Sequence, residues 1–231
     1  VKADIEFFLG EKAVVFPERD FLMQAQMQSG PIQQKRIEAL DKILGGARIV
    51  VASIEAVLFN LMPPDALKNL KITLKVGEQI DMRTLCQKLV TNGYSAVDQL
   101  EGQGQFFLHG GLIDIFPFNS ESSVRVDFFD DEVESIRLVD PVSQRTQEKI
   151  DKIDILPARE ICAEKERLAM AGELLSKELV SFNKGNKNAL AVEEATNTFA
   201  LAAQTLSQGG YPAICDQLMA YVYPEYTSLL D

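Results

Sequence analysis

Two short apolar segments carry the residue types that most often bind other proteins. In Val124-Arg-Val-Asp-Phe-Phe129, a period of two sends Val124, Val126 and Phe128 to one face of a strand. Arg125, Asp127 and Phe129 share the other face. In Gln105-Phe-Phe-Leu-His109, Phe106 and Leu108 take the core side, and Gln105, Phe107 and His109 the outer side. Arginine and aromatic side chains are enriched where partners dock. The chemistry on offer is non-covalent: a guanidinium can fork a carboxylate while a ring fills an adjacent pocket. Two plainer readings stay open. A neighbouring domain covers this face, or Phe107 and Phe129 fold into a second small core.

Covalent chemistry has little to work with. A phosphate-cradling loop needs Gly-x-x-x-x-Gly-Lys-Ser/Thr, and none occurs. Gly45-Gly46 precedes a strand instead of a helix, and Lys184-Gly-Asn-Lys187 sits in a polar loop between helices. Asp127, Asp130, Asp131, Glu132 and Glu134 crowd one turn and have the chemistry for a divalent cation. A solvated hairpin explains them more simply, with Asp130-Asp131 as its turn. The one histidine, His109, has no Ser or Cys neighbour that it could activate. Cys86, Cys162 and Cys215 are odd in number, far apart and outside any Cys-x-x-Cys pair, which reads as free thiols in a reducing cytoplasm. No catalytic residue, metal ligand or cofactor-binding residue is therefore assigned.

The elements around these residues fall into three stretches. Ala13 to Pro17 and Ala47 to Ser53 read as short buried strands, the second apolar enough for a parallel sheet covered on both faces. Between them Ser29-Gly-Pro31 opens a helix with Ile37, Leu40 and Leu44 on one side. A short helix from Ile54 to about Asn60 follows, stopped by Pro63-Pro64. From Lys71 the pattern alternates. Asp81 can cap a helix striped by Met82, Leu85, Cys86, Leu89 and Val90, with Gly93 as a left-handed stop. Strands are expected at 105–109, 112–116, 124–129, 132–139 and 150–156. After Pro157 two helices follow, striped by Leu168, Ala171, Leu175, Leu179 and Phe182, then by Ala191, Ala195, Phe199, Ala202 and Leu206. The predicted class is thus α/β plus α+β. An incomplete α/β domain, residues 1–69 and 158–231, is interrupted by an inserted, mainly antiparallel α+β domain, residues 70–157.

Bulk properties agree with an ordinary globular chain. It has 231 residues, 46% hydrophobic and 25% charged. No apolar run reaches the ~18 residues of a membrane span, and the first residues do not resemble a signal peptide. The missing initiator Met suggests a piece of a longer chain. Net charge is −11, and residues 71–160 hold 10 Lys and Arg against 16 Asp and Glu. Such a surface works against nucleic acid, whose binding needs cations that displace counterions.

Several ordered motifs then carry a resemblance. They are Gly104-Gln-Phe-Phe-Leu-His-Gly-Gly-Leu-Ile-Asp-Ile-Phe-Pro117, Val124 through Asp140, Ser143-Gln-Arg-Thr146, Ile155-Leu-Pro-Ala-Arg-Glu160 and Tyr223-Pro-Glu-Tyr-Thr-Ser-Leu-Leu-Asp231. Together they resemble the N-terminal region of the bacterial transcription-repair coupling factors (Mfd), a region homologous to the excinuclease component UvrB. The resemblance implies that 1–69 and 158–231 form a degenerate helicase-like (RecA-like) domain 1. It implies that 70–157 is the domain 2 that binds the excinuclease component UvrA. Family contacts to UvrA carry over to Arg125 and Phe129, on a face with Phe107, Asp127 and His109. His109 stands where the family has Arg, and Phe107 where it usually has a small residue.

The expected function is a non-catalytic recruitment module that brings nucleotide excision repair to stalled RNA polymerase, in the cytoplasm. The resemblance further implies masking of the face by the C-terminal domain of the same full-length chain. RNA polymerase, DNA, ATP and Mg would engage only domains outside these residues. The alternative is a fragment of a UvrB-like helicase/ATPase that handles damaged DNA.

Overall fold

The computed structural model describes residues 1–19 and 30–231, so the expected Ser29 start of the second helix lies outside the described residues. Two hydrophobic cores organise the chain. One gathers Phe16, Ile37, Leu61, Leu168, Leu206 and Leu218 from both ends of the sequence. The other is built between Ile72 and Ala158.

The first lobe opens with helix α1 (Lys2–Leu9), which the sequence pattern does not announce. Strands β1 (Val14–Phe16) and β2 (Val50–Ala52) pair in parallel, flanking helix α2 (Gly30–Leu44) in the chain. The parallel pairing agrees with the apolar pattern, but β2 is not covered on both faces, because Val50 is exposed. Helix α3 (Ile54–Val57) is shorter than expected, with the Ser53 hydroxyl accepting from the Ala56 N–H at its start. Pro63-Pro64 does more than stop it. Proline fits the first turn of a helix, where its missing N–H costs nothing, and Pro64 begins α4 (Pro64–Leu70).

The second lobe starts with β3 (Ile72–Lys75). The Asp81 carboxylate accepts the Thr84 N–H at 2.8 Å and starts α5 (Met82–Thr91), as the capping residue predicts. Leu85 and Leu89 are buried, but Val90 is exposed and leaves the expected stripe. Gly93 then takes the left-handed conformation at φ 87°.

A six-stranded sheet follows. Its strands are β4 (Ser95–Ala96), β5 (Gln105–His109), β6 (Leu112–Phe116), β7 (Ser123–Phe129), β8 (Glu132–Val139) and β9 (Thr146–Ile150), in that spatial order. All neighbours are antiparallel except β4 with β5. Its inner face packs Phe106, Ile113, Ile115, Val124, Val126 and Ile136 into a core shared with Leu85 and Leu89. The single strand expected at 150–156 is two. After β9, strand β10 (Lys152–Ile155) leaves the sheet and pairs antiparallel with β3, Ile155 opposite Ile72. The chain thus enters and leaves this lobe side by side. Asn92 clasps the crossing: its side-chain amide donates to the Leu70 carbonyl at 2.5 Å, and its own carbonyl accepts from the Ala158 N–H at 2.8 Å.

Past the crossing the chain rejoins the first core. Helices α6 (Lys165–Gly185) and α7 (Ala189–Ser207) pack on each other. Gly172 permits their close approach, since a Cβ there would lie 2.5 Å from the Ser207 backbone nitrogen. Leu168, Ala171 and Leu175 are buried, whereas Phe182 at the far end of the predicted stripe is exposed. A 3-10 turn (Cys215–Leu218) and α8 (Met219–Val222) complete the lobe.

A buried ionic cluster joins the two ends of this lobe. Glu160 accepts from Arg36 Nε at 2.5 Å and Arg19 Nη2 at 2.6 Å. Arg19 also donates to the Asp216 carbonyl, and Gln33 to the Asp216 carboxylate. Arg36, fully buried, lies 4.2 Å over the Phe16 ring. Burial pushes the Glu160 carboxyl up, but the charges and hydrogen bonds of Arg19 and Arg36 prevail and hold it below the usual carboxylate range. Among the described residues, no helix is long and apolar enough to cross a membrane.

Candidate protein-binding face

The outer face of the six-stranded sheet is set by cross-strand register. Phe107, Asp114, Arg125, Arg137 and Lys149 form one row across β5 to β9. His109, Leu112, Asp127 and Ser135 form the next. Four of the predicted site residues, Phe107, His109, Arg125 and Asp127, therefore stand in two adjacent rows on one side. Phe129 follows at the tip of β7, where an extra residue on β8, Glu134, bulges the ladder between Asp127 and Phe128. Alternation survives the bulge: Phe128 is buried and Phe129 is 71% exposed. Asp130 turns the hairpin in the left-handed region at φ 51°.

Two arginines and two aspartates on this face pair with one another. Arg125 donates from Nε and Nη2 to the two oxygens of Asp114, at 2.7 and 2.6 Å. Arg137 Nη2 donates to both oxygens of Asp127, at 2.7 and 2.5 Å, and the Ser135 hydroxyl also donates to Asp127. Hydrogen bonding to Asp114 raises the Arg125 guanidinium above its ordinary value, against the opposing effect of burial. The arginine and aspartate side chains remain 14–28% exposed. Phe107 and His109 lean together, ring centroids 5.9 Å apart.

Sequence reasoning misses Asp114 and Arg137. The period of two in their strands sends both outward, but only the register reveals that Asp114 lies opposite Arg125 and that Arg125 lies opposite Arg137. It also misplaces Leu108. This residue points to the core side yet is 48% exposed, because it lines a cleft of about 1150 Å³ with Val90, Cys86 and Leu70. The three cysteines are free, and burial pushes the Cys162 and Cys215 thiols up to about 12. No cluster of three or more His, Cys, Asp or Glu suited to a metal ion occurs among the described residues.

The class follows from the sequence of the lobe that carries this face: residues 72–161 match the UvrB interaction domain. Over its whole length, the chain is similar to the transcription-repair-coupling factor of Bacillus subtilis (strain 168), at 30% identity over 234 residues, 100% of this chain and 20% of that protein. It is also 38% identical over 160 residues to UvrABC system protein B of Cyanothece sp. (strain PCC 7425 / ATCC 29141), 69% of this chain and 23% of that protein. Its identity to UvrABC system protein B of Thermotoga maritima is 29% over 181 residues, 76% of this chain and 27% of that protein. The resemblance carried by the ordered motifs is thus borne out. The chain spans about a fifth to a quarter of the length of these relatives.

Proposed function

We propose that this chain is a non-catalytic recruitment module that binds the excinuclease component UvrA and so brings nucleotide excision repair to stalled RNA polymerase. One observation carries the reading. Within the segment that matches an interaction domain, Arg125, Phe129, Phe107 and His109 gather on the sheet face that has no core behind it. Residues 70–157 act as the UvrA-binding domain. Residues 1–69 and 158–231 act as its helicase-like host, a reading supported by the parallel β1–β2 pair and the core joining both ends of the sequence. Similarity along all of this chain to a coupling factor favours that protein over UvrB. The module needs no cofactor, works in the cytoplasm, and meets RNA polymerase and DNA only through other parts of a longer protein, whose C-terminal domain masks the face.

Calorimetric titration of UvrA into the 231-residue chain tests the reading. Arg125→Ala should cost about 2 kcal/mol, roughly 30-fold in affinity, with the fold intact by circular dichroism. Unchanged binding by an Arg125→Ala, Phe129→Ala double variant places the interface elsewhere.

A further inference from the structure

The pairing on the outer face defines how the arginine is presented. Arg125 lies between Asp114 on β6 and Arg137 on β8, so it has an opposite charge on one side and a like charge on the other. Like charges directly opposite on neighbouring strands repel. The repulsion is relieved because each arginine has its own carboxylate, Asp114 for Arg125 and Asp127 for Arg137. The two pairs are not equivalent. Arg137 spends Nη2 on both oxygens of Asp127, and its Nε is buried without a partner. Asp114 instead takes the Nε–Nη2 side of Arg125. A guanidinium has five N–H groups in a planar fork, so this leaves the Nη1–Nη2 end for a second carboxylate.

Building on the UvrA-binding function above, we propose that Asp114 is a positioning residue that aims the free end of Arg125 at an acidic side chain of the partner. Phe107, directly opposite Asp114 on β5, walls the pair on that side. Phe129 offers an exposed ring further along the strand that carries Arg125. The complementary patch on the partner is therefore an Asp or Glu flanked by an apolar pocket. Asp127 is no free acceptor for that partner, because Arg137 and Ser135 already use its oxygens.

The sign of the effect separates positioning from bulk charge. If only net charge mattered, Asp114→Asn would remove a negative group from the face and tighten the hold on an acidic partner. Positioning predicts the reverse. In a titration with UvrA, Asp114→Asn should weaken binding about 5- to 10-fold, and Asp114→Glu should recover part of the loss. Placed on Arg125→Ala, Asp114→Asn should change affinity less than about twofold, since there is nothing left to aim. Equal or tighter binding by Asp114→Asn, or a full effect surviving in the Arg125→Ala background, overturns the inference while leaving UvrA binding intact. A wild-type chain that fails to bind UvrA overturns both.

Discussion

Two groups of arginines and carboxylates of similar chemistry sit in the two lobes, and their surroundings give them different jobs. In the first lobe, Arg36 and Glu160 are buried to within a hundredth of their surface, and Arg19 nearly so. In the second, Arg125, Asp114, Arg137 and Asp127 keep a seventh to a quarter of theirs in water. Inside the protein a charge stripped of its partner has no water to replace it, so the pairing is compulsory. At the surface, water and salt screen the same contact, and its geometry matters more than its energy. The inner cluster holds the chain together; the outer pairs hold side chains in readiness.

Removing the Glu160 charge is the severest test of this contrast. Glu160→Gln should cost about 3–5 kcal/mol in urea unfolding, because two arginines are left buried with one carboxylate side chain fewer. The pH dependence has a defined sign. The Glu160 carboxyl is held below its ordinary value of 4.5, so its contribution is complete above that pH and is lost as pH falls through the lowered value. Asp216 works oppositely, since burial and the Glu160 charge raise its carboxyl. Stability measured from about pH 6 downward should therefore fall more steeply for the wild type than for Glu160→Gln. Parallel curves would mean that Glu160 is not the group that titrates.

An intermediate case lies at the crossing between lobes. Lys71 reaches Asp41 in the first lobe at 2.9 Å and Asp154 in the second at 3.2 Å, with all three about a third exposed. Lys71→Ala should cost about 1 kcal/mol by the same measurement, diminishing in about 0.5 M salt. A loss as large as that of Glu160→Gln would erase the distinction between inner and outer pairs.

The smallest expected effect is on the face itself. Asp114→Asn should change unfolding free energy by about 0.5 kcal/mol or less, even where it weakens partner binding. A loss above about 2 kcal/mol would turn the outer pairs into structural ones.

What the sequence shows and what it hides follow the same division between local and distant. Strands at 105–109, 112–116 and 132–139 are legible to the residue; 112–116 alternates strictly over one buried face, while exposed Leu108 and the bulge residue Glu134 interrupt the other two without moving their ends. Strand β9 is not, because four of its five residues are exposed at the sheet edge and give no alternation. Helix α1 is missed for a similar reason, having no buried residue. The face is legible as a set of outward side chains, since alternation alone defines it. Its pairing is not, because Asp114 meets Arg125 only through the hairpin register, and Arg36 meets Glu160 across most of the chain.

The antiparallel meeting of β3 and β10 also bears on the order of folding. Ile72 and Ile155 are register partners, so the two ends of the second lobe meet within the lobe itself. Once closed, it shortens the journey between Leu70 and Leu156 from a long flexible loop to a single strand pairing. By loop-closure entropy, that replacement favours joining the split first lobe by about 2 kcal/mol. A second lobe that folds before the first would act as a splint, bringing together the two halves of the lobe that carries it.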